Sequence, residues 1–257
     1  MNLELENRRA LVTGASRGLG RAIASSLAAE GATVTAAARN LERLNALVAA
    51  TPAGRGTITA REFDLADGSA INCLDSLLQQ LDILVLNTGG PPPGPTAETS
   101  DSVWCKQFEE MFLSVIRLTR LALPGMRERG FGRILVVVSS GVIQPIPNLG
   151  VSNALRSALV GWAKTLASEV AGEGITVNCI APGRIATDRV AELDLGRAKR
   201  EGMDIEKVKQ ESLALIPAGR YGDAVEFAST VTFLASPRAS YMTGGVIRVD
   251  GGMIRSV

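Results

Sequence analysis

Short apolar runs rich in β-branched residues alternate along this chain with segments that have the period of an amphipathic helix. The predicted strands cover residues 9–13, 33–38, 58–65, 83–87, 134–139, 176–181 and 246–250, and the predicted helices cover residues 18–30, 40–50, 69–80, 100–126, 151–170 and 223–235. Apolar strands that alternate with helices are typical of a parallel sheet covered on both faces. The pattern therefore predicts an α/β fold with a doubly wound, seven-stranded parallel sheet and helices on both faces.

The length of the chain fits one domain of this kind. We expect a single domain over residues 1–257. Residues 184–217 interrupt the alternation with a long charged stretch that has few apolar positions. Because long connections in compact domains are usually functional, and this one follows the end of a strand, we predict a helical lid at 184–217. The alternative is a surface helical hairpin.

Charge and hydropathy exclude several classes of partner. Lys and Arg total 27 against 26 for Asp and Glu, so the chain lacks the basic excess of a nucleic-acid-binding protein. The apolar run at residues 134–138 is far too short to span a bilayer, and residues 1–10 lack the apolar core of a signal peptide. We therefore expect a cytoplasmic protein whose partners are neither nucleic acids nor membranes.

Histidine is absent from the chain, and the three cysteines, Cys73, Cys105 and Cys179, lie far apart. Imidazole is the commonest general base and metal ligand, and the cysteines lack the spacing of a zinc site or a disulfide frame. We interpret the cysteines as small buried side chains and predict no metal site. Any chemistry must use hydroxyls, carboxylates, Lys, Arg or a cofactor.

The sequence TGASRGLGRA follows the first predicted strand and leads into a helix. Its glycines Gly14, Gly18 and Gly20 permit a tight turn and a close approach of the backbone to a diphosphate, and the first amides of a helix attract an anion. A glycine-rich turn between the first strand and helix of an α/β chain indicates a dinucleotide site in a Rossmann fold. The alternative is a tight connection that binds no ligand.

The end of the second strand favours NADP(H) over NAD(H). A site for NAD places an acidic side chain there to bind the ribose 2′-hydroxyl, whereas this strand is followed by Arg39 and Asn40. Together with Arg17 of the glycine-rich turn, Arg39 forms a predicted cationic pocket for a 2′-phosphate. The alternative interpretation is that Arg39 is a solvated charge at the end of a strand.

The spacing of the glycines resembles the T-G-x-x-x-G-x-G motif of the short-chain dehydrogenase/reductase family. Asp64 and Leu65 look like the pair that holds the adenine, NTGG at 87–90 is similar to the family's N-N-A-G, and PGRIAT at 182–187 is similar to its P-G-x-x-x-T. GRYGDAVEFASTVTFLAS and TGGVIRVDGG resemble the carboxyl-terminal signatures of 3-oxoacyl-(acyl carrier protein) reductase-like members. The resemblance implies that the cofactor is held by Gly14, Ser16, Arg17, Gly18, Leu19, Gly20, Arg39, Asn40, Asp64, Leu65, Asn87, Gly89, Arg156, Pro182, Gly183, Ile185 and Thr187.

Members of this family that reduce carbonyls use an Asn, a Ser, a Tyr and a Lys, the last two spaced Y-x-x-x-K. Ser140 stands at the serine position, but Met111, Ser152 and Arg156 stand where the resemblance places Asn, Tyr and Lys. An alkyl hydroxyl is a weaker acid than a phenol, and a guanidinium stays protonated, so these replacements do not repeat the family's proton transfer. The candidate catalytic residues are Ser140, Ser152 and Arg156.

Three functions are compatible with this altered set. The first is an NADP-dependent oxidoreductase that acts on a carbonyl or alcohol, such as a 3-oxoacyl thioester-like substrate, with Arg156 near the developing oxyanion. The second is an impaired NADP-binding pseudo-enzyme or regulatory module. The third is a redox-free lyase similar to the halohydrin dehalogenases, which carry Arg in place of Lys. Those relatives keep Tyr and abandon the glycine-rich turn, which is the opposite of this chain.

The resemblance also implies self-association. The predicted helices at 100–126 and 151–170 are amphipathic on more than one face, and in the family this pair forms a four-helix interface. We therefore expect a homodimer or a homotetramer. The other expected partner is a small carbonyl or alcohol substrate.

Overall fold

The computed structural model describes residues 2–52, 54–72 and 74–256, and these contain one sheet of seven parallel strands. The strands are β1 (Arg9–Thr13), β2 (Thr33–Ala38), β3 (Thr57–Glu62), β4 (Ile83–Leu86), β5 (Gly132–Val137), β6 (Ile175–Pro182) and β7 (Val246–Val249). Their order across the sheet is β3-β2-β1-β4-β5-β6-β7. The predicted α/β class and the doubly wound parallel sheet are confirmed.

Ten α-helices lie in the described part of the chain. They are α1 (Gly18–Ala29), α2 (Leu41–Ala49), α3 (Gly68–Asn72), α4 (Asp75–Leu78), α5 (Asp101–Phe108), α6 (Ser114–Arg129), α7 (Gly150–Val170), α8 (Asp188–Glu201), α9 (Ile205–Ala214) and α10 (Ala224–Ala235). A π-helical turn, Glu109–Leu113, joins α5 to α6. α6 ends where Gly130 adopts the left-handed conformation, with φ of 60°, that closes a helix at low steric cost.

Several predicted boundaries differ from the structure, among them those of β5, which spans Gly132–Val137 rather than 134–139. β3 ends at Glu62 rather than at residue 65, because the chain turns at Asp64, whose side chain accepts a hydrogen bond from the Ala66 N–H. The predicted helix at 69–80 is two short helices, α3 and α4. The predicted helix at 100–126 continues to Arg129 and is interrupted by the π-helical turn.

The cysteines differ in environment. Cys179 lies in β6, where burial raises the pKa of its thiol to about 12. Cys105 lies exposed on α5, so the interpretation of all three as buried side chains is wrong for this one. Cys73 lies outside the described residues. Among the residues that are described, no group of three His, Cys, Asp or Glu side chains is placed to hold a metal ion.

Both faces of the sheet are covered, as its continuously apolar strands require. In β4, Ile83 and Val85 face the core formed with α1, α2 and α10, whereas Leu84 and Leu86 face the core formed with α4, α6 and α7. Each fully buried aliphatic side chain of this size stabilises the fold by about 1.5–3 kcal/mol relative to exposure. Because the strand order reverses between β1 and β4, the helices that follow these strands diverge and leave a crevice at their carboxyl ends.

Residues 184–217 form the two helices α8 and α9. Arg197 of α8 forms ion pairs with Glu201 of the same helix and Glu211 of α9, which join the two helices. The helical content of this insertion agrees with the sequence pattern, and its action as a lid stays a prediction. No helix in the described ranges combines the length and apolarity needed to cross a membrane.

Candidate functional site

A cleft of about 1430 Å³ opens at the carboxyl ends of β1, β2, β4, β5 and β6. The predicted site residues that line it are Gly14, Ser16, Arg17, Gly18, Leu19, Arg39, Asn40, Asp64, Leu65, Asn87, Gly89, Ser140, Ser152, Arg156, Pro182, Gly183, Ile185 and Thr187. Gly20 does not line the cleft and lies buried behind Gly14. The fold therefore brings residues from six distant segments of the chain to one surface.

The glycine-rich turn is packed too closely for larger residues. A Cβ at Gly14 would lie 2.5 Å from the carbonyl oxygen of Asn87, and a Cβ at Gly20 would lie 2.3 Å from that of Gly14. Asn87 reaches back to donate a hydrogen bond from Nδ2 to the Gly14 carbonyl at 3.3 Å. Thr13 joins the same two strand ends, because its hydroxyl exchanges hydrogen bonds with the backbone of Asn87.

The first turn of α1 is open to an anion. Its N-cap residue, Arg17, makes no side-chain capping hydrogen bond, and no acidic residue occupies the first turn. The backbone N–H groups at this end therefore have no competing acceptor, and the helix dipole adds partial positive charge. This end of the cleft fits the diphosphate of a dinucleotide.

Arg17 and Arg39 differ in their surroundings. Arg17 donates from Nη1 to Glu192 Oε1 at 2.8 Å and lies 3.6 Å from Asp188, both on α8. The hydrogen bond to Glu192 and the charges of both carboxylates raise the pKa of Arg17. Arg39 is exposed at the rim of the cleft and forms no ion pair within the described ranges. Arg39 is therefore the free cation of the predicted 2′-phosphate pocket, whereas Arg17 is shared with α8.

Asn40 and Asp64 hold the rim in place. The Asn40 side chain caps α2 by accepting a hydrogen bond from the Arg43 N–H at 2.8 Å. The Asp64 side chain closes the turn after β3, and Leu65 packs against the core beside it. Arg43 also lines the cleft and is a second cation at this end that the sequence pattern did not single out.

The segment after β6 forms the opposite wall. Gly183 has no room for a side chain, because a Cβ there would lie 2.7 Å from Cα of Asp250. Ile185 is buried, and its carbonyl accepts a hydrogen bond from the Thr187 hydroxyl at 3.2 Å, immediately before α8 begins. This wall is therefore rigid where it meets the cleft.

Ser140 and Ser152 occupy neighbouring elements. Ser140 begins a short 3₁₀ turn after β5 and is 3% exposed, and Ser152 lies in the first turn of α7. The Ser152 hydroxyl accepts a hydrogen bond from Arg156 Nε at 3.3 Å, as expected for residues four apart on one helix face. The predicted pair is thus in direct contact.

Arg156 is buried among neutral acceptors. Its Nη1 donates to the Val137 carbonyl at 2.6 Å, and its Nη2 donates to the carbonyls of Gly89 at 3.0 Å and Thr88 at 3.4 Å. No carboxylate pairs with it among the described residues. Burial, and to a smaller extent the positive charge of Arg189, lowers the pKa of Arg156 to about 10. The group therefore remains a cation at neutral pH, and its charge is not neutralised by an ion pair.

Met111 lies in the π-helical turn and packs with Val151 and Leu155 of α7. It is 1% exposed, and it borders the cleft with an apolar side chain where the family places an amide. Neither tyrosine of the chain lines the cleft, where it could replace the family's catalytic tyrosine. Tyr221 donates to Asp194 at 2.8 Å outside the cleft lining, burial raises its pKa, and Tyr241 is fully exposed.

The cleft also contains residues that the sequence pattern did not single out as site residues. Thr88 lines it with a buried hydroxyl that has no hydrogen-bond partner among the described residues. Glu110 lines it beside Met111 and accepts a hydrogen bond from Gln107. Thr88 lies within the NTGG motif at 87–90, which indicated the site but not this residue, whereas the sequence around Glu110 does not indicate that it borders the cleft.

Comparisons with known proteins agree with this geometry. The family model described as enoyl-(acyl carrier protein) reductase matches residues 14–254. The chain is 38% identical over 256 residues to the 3-oxoacyl-[acyl-carrier-protein] reductase FabG of Salmonella typhimurium, and the match covers 98% of this chain and 99% of that protein.

Two solved structures are similar over the whole chain. The L-sorbose reductase from Gluconobacter frateurii, in complex with NADPH and L-sorbose, matches with a TM-score of 0.92 at 31% identity and covers 100% of both chains. YwfH, an NADPH-dependent reductase involved in bacilysin biosynthesis, matches with a TM-score of 0.90 at 30% identity and covers 98% of this chain and 100% of that one.

Proposed function

Because the chain belongs to the short-chain dehydrogenase/reductase family, we propose that it is an NADP-dependent oxidoreductase that interconverts a carbonyl compound and an alcohol. The observation that carries the proposal is the position of the Arg156 cation beside Ser152 in the same cleft as an intact glycine-rich turn. A 3-oxoacyl thioester-like substrate is one candidate, because FabG of Salmonella typhimurium is named for that reaction.

The residues at the rim support NADP(H) over NAD(H). Arg39 has a free guanidinium at the end of β2, and Arg43 adds a second cation. A fork of donors on a fixed strand end suits a phosphate better than a ribose hydroxyl. YwfH is an NADPH-dependent reductase, and the L-sorbose reductase structure is a complex with NADPH.

Because Asn, Tyr and Lys of the family's set are replaced, we assign the chemical roles to Arg156, Ser140 and Ser152. When bound, the nicotinamide supplies the hydride. The Arg156 charge, fixed by protein carbonyls, favours negative charge on the substrate oxygen, and the hydroxyls of Ser140 and Ser152 donate hydrogen bonds to it. Ser152 then passes a proton from water. An alkyl hydroxyl is a poor general acid, so we expect slow turnover.

The proposal is tested by separating binding from chemistry. NADPH fluorescence measures binding, and single-turnover absorbance at high protein concentration measures oxidation of NADPH by ketones, oxo acids and acyl thioesters. We expect NADPH to bind and at least one carbonyl compound to be reduced slowly. Tight binding of NADPH without turnover on a broad panel would overturn the proposal.

A second candidate is a non-catalytic NADP-binding module. It is favoured by the occupation of the Arg156 donors by three backbone carbonyls and by the apolar packing of Met111. In such a module, NADP binding would change the position of α8, which already contacts the nucleotide turn through Arg17. This candidate predicts a change in the protease sensitivity of residues 184–217 on NADP binding, and no turnover.

We also propose that the protein forms a homodimer or homotetramer in the cytoplasm. α5 carries exposed Val103 and Phe108, and the Phe108 ring stacks on Phe112 at a centroid distance of 5.2 Å. Apolar side chains of this size on one helix favour burial against a second copy. Sedimentation equilibrium tests the assembly, and a monomer at micromolar concentration would contradict it.

A further inference from the structure

The arginines around the inner part of the cleft are not neutralised equally. Arg184 forms an ion pair with Asp194, which is 2% exposed, and Arg197 pairs with Glu201 and Glu211. Arg156 has no such partner in the part of the chain that the structure describes. A buried cation without a counter-ion is costly, and a negatively charged ligand in the cleft would offset that cost.

Arg189 places a second cation in this region. Its Nη2 donates to the Pro91 carbonyl at 2.7 Å, while Arg156 binds the carbonyls of Thr88 and Gly89 in the same short loop. Arg189 lines the cleft from α8, and its only carboxylate partner in the described ranges, Glu192, lies 3.9 Å away and also pairs with Arg17. Two guanidinium groups thus converge on one loop with little opposing charge.

Polar hydrogens are also available here. A guanidinium has five N–H groups, and the four hydrogen bonds of Arg156 leave at least one without a protein acceptor. The buried hydroxyl of Thr88 has no partner among the described residues. The position of a Cβ at Gly89 has no heavy atom within 4 Å, so the space beside this loop is open. The region therefore has positive charge and an N–H of Arg156 that no described protein group accepts.

We propose that this part of the cleft, bordered by Thr88, Arg156 and Arg189, binds the carboxylate of the substrate, so that the natural substrate is an oxo acid or hydroxy acid rather than a neutral ketone or alcohol. The inference rests on the proposed oxidoreductase function. Arg156, through its remaining N–H, and Arg189 share the carboxylate charge. The diphosphate of the cofactor occupies the other end of the cleft, at the first turn of α1, and does not supply this charge.

The experiment compares an acid with its uncharged ester. Isothermal titration calorimetry of the NADP⁺-loaded protein with 2-oxohexanoate and with methyl 2-oxohexanoate isolates the carboxylate, because the two probes share their carbon skeleton. We expect the acid to bind at least tenfold more tightly. Equal binding, tighter binding of the ester, or no binding of the acid would overturn the inference.

Two variants locate the effect. Arg189→Gln is expected to weaken binding of 2-oxohexanoate by about five- to tenfold while the affinity for the ester is unchanged, since a charge-assisted hydrogen bond is lost. Arg200→Gln is the matched control, because this arginine is on the same helix and lines the same cleft but pairs with Glu201. An equal loss in both variants would mean a diffuse surface effect and would overturn the assigned site.

Binding of NADP⁺ is measured first on the same samples. If NADP⁺ does not bind, the proposed function fails, and titration of 2-oxohexanoate into the cofactor-free protein still decides between an anion site and none. If NADP⁺ binds and the acid has no advantage over the ester, the oxidoreductase proposal stands and the carboxylate site fails.

Discussion

The glycine-rich turn after β1 and the first turns of α7 border the same cleft, but they differ in how far they follow the family pattern. At the turn, Gly14, Gly20 and Asn87 are all present and in contact. At α7, Ser152 and Arg156 stand in place of Tyr and Lys. The first region is constrained by the backbone, because any side chain would overlap a carbonyl group. The second region consists of two side chains on one helix face, where Ser152 borders the cleft and Arg156 is held by side-chain hydrogen bonds to backbone carbonyls.

This difference explains which part of such a site can change without loss of the fold. A Cβ at Gly14 or Gly20 would move the strand ends, whereas Ser152 and Arg156 lie on a helix whose packing residues, Leu155 and Leu159, are unaffected. Arg156 fits because three carbonyls accept its hydrogen bonds. Cofactor binding and proton transfer are therefore physically separable in this fold.

Restoring the family's side chains is the strongest test of that separation. In Met111→Asn, Ser152→Tyr, Arg156→Lys, a phenol beside an ammonium again supplies a general acid, and we expect ketone reduction to rise by about 10²-fold. The measurement is the rate of NADPH oxidation at saturating ketone. The control is Ser140→Ala in the same background, which should remove most of the gain. No gain at unchanged NADPH affinity would mean that the pocket shape, as well as the side chains, has diverged.

Gly20→Ala tests the backbone-constrained region. The added Cβ would lie 2.3 Å from the Gly14 carbonyl oxygen, so the turn must shift. Overpacking of this kind costs about 1–3 kcal/mol in unfolding free energy, and we expect at least a tenfold loss of NADPH affinity. Chemical denaturation and NADPH fluorescence measure the two effects. The matched control is Gly196→Ala in α8, where a Cβ meets nothing within 4 Å and improved helix propensity should stabilise the protein slightly.

Arg39→Ala tests the specificity of the nucleotide end. Loss of one charge-assisted contact should weaken NADPH binding about tenfold and leave NADH binding unchanged. Arg61→Ala is the control, because Arg61 is another exposed arginine on the neighbouring strand β3. If Arg39→Ala lowered the affinity for both cofactors equally, its role would be structural and the preference for NADP(H) would need another source.

The pH dependence of turnover is the smallest expected effect. It should change the chemistry at α7 without changing cofactor binding at the glycine-rich turn. The pKa of Arg156 is lowered to about 10, so the cation persists at lower pH and is lost as pH rises through that value. We expect kcat/KM to be level from about pH 6 to 9, because the chain has no histidine to titrate there, and to fall by half near pH 10. NADPH affinity, which depends on backbone amides and Arg39, should not follow this fall. A steep change near pH 7 would contradict the assigned role of Arg156.

The fold was predictable because its periodic patterns are strong. β4 is apolar at every position, and helices cover the sheet on both of its faces. A parallel sheet covered in this way buries both sides of such a strand. The π-helical turn was not predictable, because hydropathy averages over the one additional residue that it contains. The end of β3 was also missed, since Phe63 continues the apolar pattern past the turn that Asp64 closes.

The residues that line the cleft were predictable from the sequence, but the ion pairs of its arginines were not. The glycine-rich turn, Ser140, Ser152 and Arg156 all come after strands of the parallel sheet, and they line one cleft. Which arginine is neutralised depends on contacts between distant segments. Arg17 meets Glu192 from 175 positions away, and Arg184, which precedes α8, meets Asp194 within that helix ten positions further along the chain. No local pattern indicates that Arg156 and Arg39 are among the cations without an ion pair in the described residues.

The π-helical turn has a further consequence for the outer surface. It holds one residue more than an α-helical turn, so α5 is rotated by about 100° relative to an unbroken continuation of α6. Counted back from the buried residues of α6 at about 100° per residue, an unbroken helix would place Gln107 and Phe108 equally close to the buried face. In the protein Gln107 is 8% exposed, while Phe108 is 41% exposed. The shift in helical register thus turns the Phe108 ring out to the surface and leaves Gln107 buried.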